Sequence, residues 1–417
     1  MADSEFPSRQ ADEVRHDGDN HKGETTMQQR PMEQSACVVI ALLLTATLSG
    51  AARADVVLSS NDGHTVQDEH KELVAPKDVH PDTVSLIDVS HYPPTIKSTV
   101  EVPGSVVGPP TAAWVAKDES WAIVTSATKA DPQGKGGTGP DDRVSVIDLT
   151  SNPPKITQSL TAGAGATTVR ISTDGKLALI ANRTEGTVSV FTVDNKQLTP
   201  AGKLDLGNKA SLPSGIVFTH DGKGALLTRG GDNMVSVLHI DGTNVTVDPR
   251  PITTGMAPYT MDINASGTLA AVSNMGRGDG DEDSVSLIDL TSKPFRVVET
   301  IGVPSGPEPL KFSPDGKYLA VGAEYGSTKP ASHWFHHDKA LLTMFAVEGK
   351  TLKRVTSTPV GPWSEAIAFS RDGQTVLVQS MADREINVFR WDGHTLTPGK
   401  SLVIKDAGPE TFATAWP

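Results

Sequence analysis

The strongest constraint on this chain is a phrase that it repeats. Thr83–Val89 reads Thr-Val-Ser-Leu-Ile-Asp-Val, and the pattern returns at Arg143–Leu149, Thr187–Val193, Met234–Ile240 and Ser284–Leu290. Weaker copies stand at Leu341–Val347 and Glu385–Trp391. The starts at 83, 143, 187, 234, 284, 341 and 385 lie 44 to 60 residues apart. Each copy is short and rich in β-branched residues, so it reads as one strand. A unit of about 40–50 residues that holds several short strands is one blade of a β-propeller. Seven copies predict seven blades.

The other strands are placed from the phrase. An Asp-Gly turn precedes most copies, at Asp174-Gly175, Asp221-Gly222, Asp315-Gly316 and Asp372-Gly373. Such a turn between β-rich runs is a strong hairpin signal. Thr167–Ser172, Ser214–Thr219, Tyr259–Asn264, Glu308–Ser313 and Glu365–Ser370 therefore read as inner strands, and the phrase as the third strand of its blade. Val56–Ser60 reads as a second strand with no first strand before it, and 408–413 as a first strand with no second after it. Joining them closes the ring. The expected fold is all-β: a seven-bladed propeller over 55–417, four antiparallel strands per blade, closed by the C-terminal strand in the N-terminal blade.

Residues 1–54 read differently. A polar leader precedes an apolar run, Ala36–Leu48, with Arg30 before it and Ala52-Arg53-Ala54 after it. That pattern describes a secretory signal peptide, with cleavage expected near Ala54. The run is too short to span a membrane, so no membrane span is expected in the mature chain. Cys37, the single cysteine, lies within it, which leaves the mature chain without disulfides or thiolate metal sites. The expected location is periplasmic or secreted. A formal charge of −13 argues against a nucleic-acid partner.

The unit Ser-Pro-Asp-Gly-Lys-Tyr-Leu-Ala-Val at 313–321, with Asp-Ser-Val-Ser-Leu-Ile-Asp-Leu-Thr at 283–291, resembles the YVTN-type β-propeller repeat. The resemblance runs from about Asp55 to Pro417. It implies an exported propeller, in a superfamily that holds lactonase-like enzymes and the propeller subunits of quinoprotein amine dehydrogenases. It implies the fold more strongly than any activity, because this fold carries many chemistries.

Candidate chemistry lies where the repeats differ. The inner strands, aligned on one another, place Thr111, Thr167, Ser214, Tyr259, Glu308, Glu365 and Glu410 at one end of the central channel. Arg183, Arg229, Arg277 and Glu324 follow the second strands. An acidic half and a basic half are expected at the channel mouth. Clustered carboxylates shift one another's pKa, and arginines orient carboxylates or phosphates. The loop 325–340 carries His333, Trp334, Phe335, His336 and His337, a candidate partner or ligand surface. Asp279, Asp281 and Asp283 alternate as calcium ligands do, without the remaining ligands of a calcium loop. No cofactor is expected beyond calcium at that loop.

Two functions follow. One is a monomeric binding protein of the bacterial cell envelope, taking a small molecule or a protein on its long-loop face. The other, implied by the resemblance, is a lactonase-like hydrolase that uses arginine, glutamate and histidine at the channel mouth. The sequence leaves open whether the chain is an enzyme.

Overall fold

The computed structural model describes residues 55–416. The expected leader, signal peptide and Cys37 lie outside them. The chain forms seven antiparallel sheets of four or five strands, one per blade. In the third blade the order is Ala166–Ile171, Leu177–Asn182, Thr187–Asp194 and Gln197–Asp205 from the axis outward. All seven copies of the phrase are third strands, including the weak ones within Ala340–Glu348 and Glu385–Trp391. The inner strands begin one residue earlier than the sequence suggests, at Ala166, Pro213, Pro258, Pro307 and Ser364. In the fourth and seventh blades the outer strand is broken into two pieces.

The ring closes as expected. Gly408–Thr414 is the inner strand of the blade that Val56–Asp62 begins, with Val57 opposite Thr414 and Ser59 opposite Phe412. A bulge between Ser60 and Asn61 shifts the register next to the channel mouth. Arg371 adds a surface clasp, reaching Asp55 at 2.7 Å and Glu119 at 3.0 Å.

Strand alternation explains the core. Side chains of one strand point to opposite faces of the sheet, and in a ring each face meets a neighbouring blade. Leu177, Leu179 and Ala181 pack toward the fourth blade, whereas Ala178 and Ile180 pack toward the second. Second strands are consequently buried along their length, while an outer strand such as Thr95–Glu101 alternates half-buried with exposed.

Polar positions in the repeat have local tasks. Asp148 Oδ2 accepts from the Ser151 hydroxyl at 2.5 Å, Oδ1 accepts from the Thr150 hydroxyl at 2.6 Å and backbone N at 3.0 Å, and these bonds hold its carboxyl at about 2. The serine of the phrase accepts from the asparagine that ends the second strand, as in Asn182 Nδ2 to Ser189 at 2.9 Å and Asn274 Nδ2 to Ser286 at 3.0 Å. In the Asp-Gly turns, Ser172 donates to Asp174 at 2.6 Å and Gly175 takes φ of 74°, which favours glycine.

Candidate functional site

Inner strands run parallel to the axis, so their leading ends ring one mouth of the channel. Glu308, Glu365 and Glu410 come together there, all buried. Glu324, which follows the second strand of the sixth blade, joins them, and its carboxyl shares a hydrogen bond with that of Glu308. Two carboxyls can share such a bond only when one holds a proton. Burial, then the Glu324 charge, pushes Glu308 well above the usual carboxylate range. Burial likewise raises Glu365 well above that range, and Glu410 to about 8, so both hold their protons more tightly than ordinary carboxyls. Glu365 Oε2 and Glu410 Oε1 have no hydrogen-bond partner.

Arg183 and Tyr259 form the opposite side. The Arg183 guanidinium lies 5.1 Å from the centre of the Tyr259 ring, and Nη1 donates to Leu212 O at 3.3 Å and to Ser214 Oγ. Burial raises the Tyr259 phenol well above its normal value, with Arg183 opposing and Glu308, Glu365 and Glu324 adding to the shift. The phenol is therefore a donor at any physiological pH.

The connection between the first two blades crosses this mouth. Val106 packs on Trp363 and Met381 of the seventh blade. Val107 O accepts from Thr167 Oγ1 of the third blade at 3.1 Å. Gly104 lies over Glu410, where a Cβ would come within 3.1 Å of Oε1. This strap buries Glu365 and Glu410 and leaves Arg183, Tyr259 and Glu324 half-buried.

The other two arginines are placed elsewhere. Pairing sets Arg229 opposite Pro213, the position that Asn182 holds opposite Ala166. Arg229 therefore stands in for the structural asparagine: it reaches Ser236 Oγ at 3.4 Å, Ser211 Oγ at 2.9 Å, Leu206 O at 3.2 Å and Asp232 at 2.5 Å, within its own blade and the connection leading into it. The residue equivalent to Arg183 is Gly230. Aligning the two arginines by sequence is a slip of one residue, and one residue decides which way a strand side chain points. Arg277 is exposed in the loop that follows Asn274. Of the three arginines expected at the mouth, Arg183 is the one that stands there.

The acidic loop and the histidine loop meet. A Cβ on Gly280 would lie 2.5 Å from Trp334 Cη2 and 3.1 Å from Phe335 Cγ. Asp283 accepts from Gly306 N at 2.7 Å, and burial raises its carboxyl, with Asp279 and Asp281 adding to the effect. His336 bonds Lys329 O at 2.8 Å, and His337 bonds Phe335 O at 3.0 Å while stacking on Tyr325. The imidazoles thus diverge. Trp334 is 78% exposed.

Among the described residues, the metal-ligating group that converges is one the sequence reading missed: Asp62, His64 and Asp82, with ligand atoms within 4.8 Å of one another. His64 Nδ1 lies 2.7 Å from Asp82 Oδ1 and 3.0 Å from Asp62 Oδ1, and Nε2 lies 3.2 Å from Thr128 Oγ1. Burial lowers the imidazole, but the two carboxylates more than reverse that, and His64 is raised. Burial lifts Asp62 to about 6. Asp62 also accepts from the backbone N of His64, Thr65 and Val106. These bonds describe a knot that anchors the strap, and the donor set is also one that a divalent cation takes. The Asp two residues before His64 was the available sequence signal.

The turns between inner and second strands are short and share one face of the ring. A basin of about 690 Å³ opens there, walled by Trp114, Trp416 and the turns at Asp118 and Asp174.

Fold and site together define a seven-bladed propeller with a strapped, acid-rich axial mouth. No protein-family model matches the chain, and no curated protein matches it in sequence. Solved structures do match. A candidate 6-phosphogluconolactonase from Bacteroides uniformis is 16% identical, with a TM-score of 0.66 over 86% of this chain and 99% of that one. A periplasmic gluconolactonase from Pseudomonas aeruginosa is 18% identical, with a TM-score of 0.62 over 87% and 100%. A protein of unknown function from Desulfotomaculum acetoxidans is 15% identical, with a TM-score of 0.63 over 87% and 100%. At these identities the likeness establishes the fold. Among the described residues, no helix is long and apolar enough to cross a membrane.

Proposed function

We propose that the protein is an exported propeller of the cell envelope that binds a small, hydroxyl-bearing organic molecule at the strapped mouth. The observation that carries this reading is the arrangement of Arg183 and Tyr259 facing the Glu308–Glu324 pair. Protonated acids and a phenol donate, Glu324 accepts, and Arg183 supplies one positive charge. Such a mixed set suits a polyol or sugar-derived ring better than a metal ion, since acids that hold protons are poor cation ligands. The test is calorimetric titration of the purified protein with a panel of sugars, sugar acids and lactones. A saturable ligand whose affinity falls at least tenfold in Arg183→Ala and Glu324→Gln supports the site. Ligands that bind both variants unchanged place it elsewhere.

A second reading, lactone hydrolysis, is favoured by the gluconolactonase names among the similar folds. In that chemistry Arg183 would polarise the ring carbonyl and the Glu308–Glu324 pair would move the proton. The protein should then open glucono-δ-lactone faster than buffer at pH 6.5, and Glu324→Gln should return the rate to background. A wild-type rate equal to buffer rejects it.

A further inference from the structure

A second polar constellation lies within the channel, away from the acidic mouth. The inner strands carry Arg170, Asp262 and Lys311 at equivalent positions in the third, fifth and sixth blades. All three line one axial cavity of about 130 Å³. Lys311 Nζ lies 3.1 Å from Asp262 Oδ1, and Phe312 N donates to Asp262 Oδ2 at 2.9 Å. Asp262 is thereby matched by one cation and one amide.

Arg170 is left over. Its Nη1 donates to three neutral carbonyls, Val169 O at 2.8 Å, Thr111 O at 3.1 Å and Ala113 O at 3.3 Å. Among the described residues no protein acceptor engages Nε or Nη2. Asp262 also acts on Arg170 through space, but two cations and one carboxylate leave the lining of this cavity with a net positive charge. An isolated charge removed from bulk water is costly unless it is paired.

A third group lines the same cavity. Thr260 is 2% exposed, and its Oγ1 has no hydrogen-bond partner. Buried hydroxyls are nearly always satisfied. The Thr260 hydroxyl and the Nε–Nη2 edge of Arg170 line the same cavity, and both can donate to the oxygens of an anion. Nε and Nη2 present the parallel N–H pair that grips two oxygens of a planar anion. The cavity shares Trp114, Asp262, Lys311 and Trp416 with the basin on the short-turn face, which gives a route from outside.

We propose that the axial channel binds the carboxylate group of a small organic acid, held by Arg170 Nε and Nη2 and by the Thr260 hydroxyl, with Lys311 contributing charge. The site is separate from the strapped mouth and does not depend on the function proposed for it.

Purified protein is titrated with sodium acetate and, separately, with sodium chloride at constant ionic strength. Binding is read by acetate NMR line broadening and by melting temperature. Saturable acetate binding with a rise in melting temperature is expected, with chloride unable to reproduce it. Arg170→Gln should abolish the binding, and Thr260→Val should weaken it about tenfold, the loss of one hydrogen bond to a charged group. Thr260→Val is nearly isosteric, so it keeps the test decisive if Arg170→Gln does not fold. Absence of saturable acetate binding, an equal response to chloride, or unchanged affinity in Thr260→Val overturns the proposal.

Discussion

Gln379 Nε2 donates to Ser59 Oγ at 2.9 Å, across 320 residues of sequence. The same nitrogen reaches Thr411 O at 3.1 Å. One buried amide of the seventh blade thus ties both chain ends of the split blade, where the propeller is held shut without a covalent link. Gln379→Ala would take their side-chain partner from Ala366 N and Thr411 O and leave Ser59 with Asn61 alone. It should cost about 2–3 kcal/mol in urea denaturation, with Gln379→Glu similarly harmful because it removes the donor.

Stability should fall as pH rises from about 4.5 to 8. Glu308, Glu324, Glu365 and Glu410 all have raised folded pKa values, Glu410 reaching about 8. In that window the folded chain keeps protons that the unfolded chain releases, so each rise in pH favours unfolding. Their contribution is complete below about 4.5 and is lost as pH climbs through the folded values. Asp62, at about 6, and His64, also raised, act in the same direction. The melting temperature should be higher at pH 5 than at pH 8, and Glu410→Gln should flatten the slope by up to about 1.4 kcal/mol per pH unit. A flat profile in the wild type would count against the buried acids.

Arg183 and Arg229 should separate cleanly. Arg229→Ala removes the partner of Asp232 and of Ser211 and should lower stability by about 2–3 kcal/mol while leaving ligand binding at the mouth intact. Arg183→Ala should lose ligand and cost less stability. Denaturation and titration of both variants distinguish the two roles.

His64→Ala should leave Asp62 and Asp82 facing each other without a cation between them. A loss of about 3 kcal/mol is expected. Because the knot is already complete in hydrogen bonds, chelation with EDTA should leave the wild-type melting temperature unchanged. A fall would reveal a cation at Asp62–His64–Asp82.

Trp334→Ala should change stability by less than about 0.5 kcal/mol, since the ring is 78% exposed. If the loop face recruits a protein partner, capture from an envelope extract should weaken in this variant. An unchanged profile would leave Trp334 without a docking role.

Sequence alone determined the count of blades, the place of each strand and the closure of the ring. Blade count and strand placement follow from strand periodicity and Asp-Gly turns within one repeat, and closure from the unmatched strands at 56–60 and 408–413. The convergence of Glu308, Glu365 and Glu410 was legible too, because equivalent positions in consecutive repeats must meet at the axis. Tertiary structure decided the rest. Pairing register, which a single-residue slip inverts, separated Arg183 at the mouth from Arg229 inside its blade. The strap over the acids, the Asp62–His64–Asp82 knot and the Arg170–Thr260–Lys311 cavity join residues from different blades or distant loops. Their contacts depend on how sheets face one another around the ring, and no pattern within a single repeat carries that information.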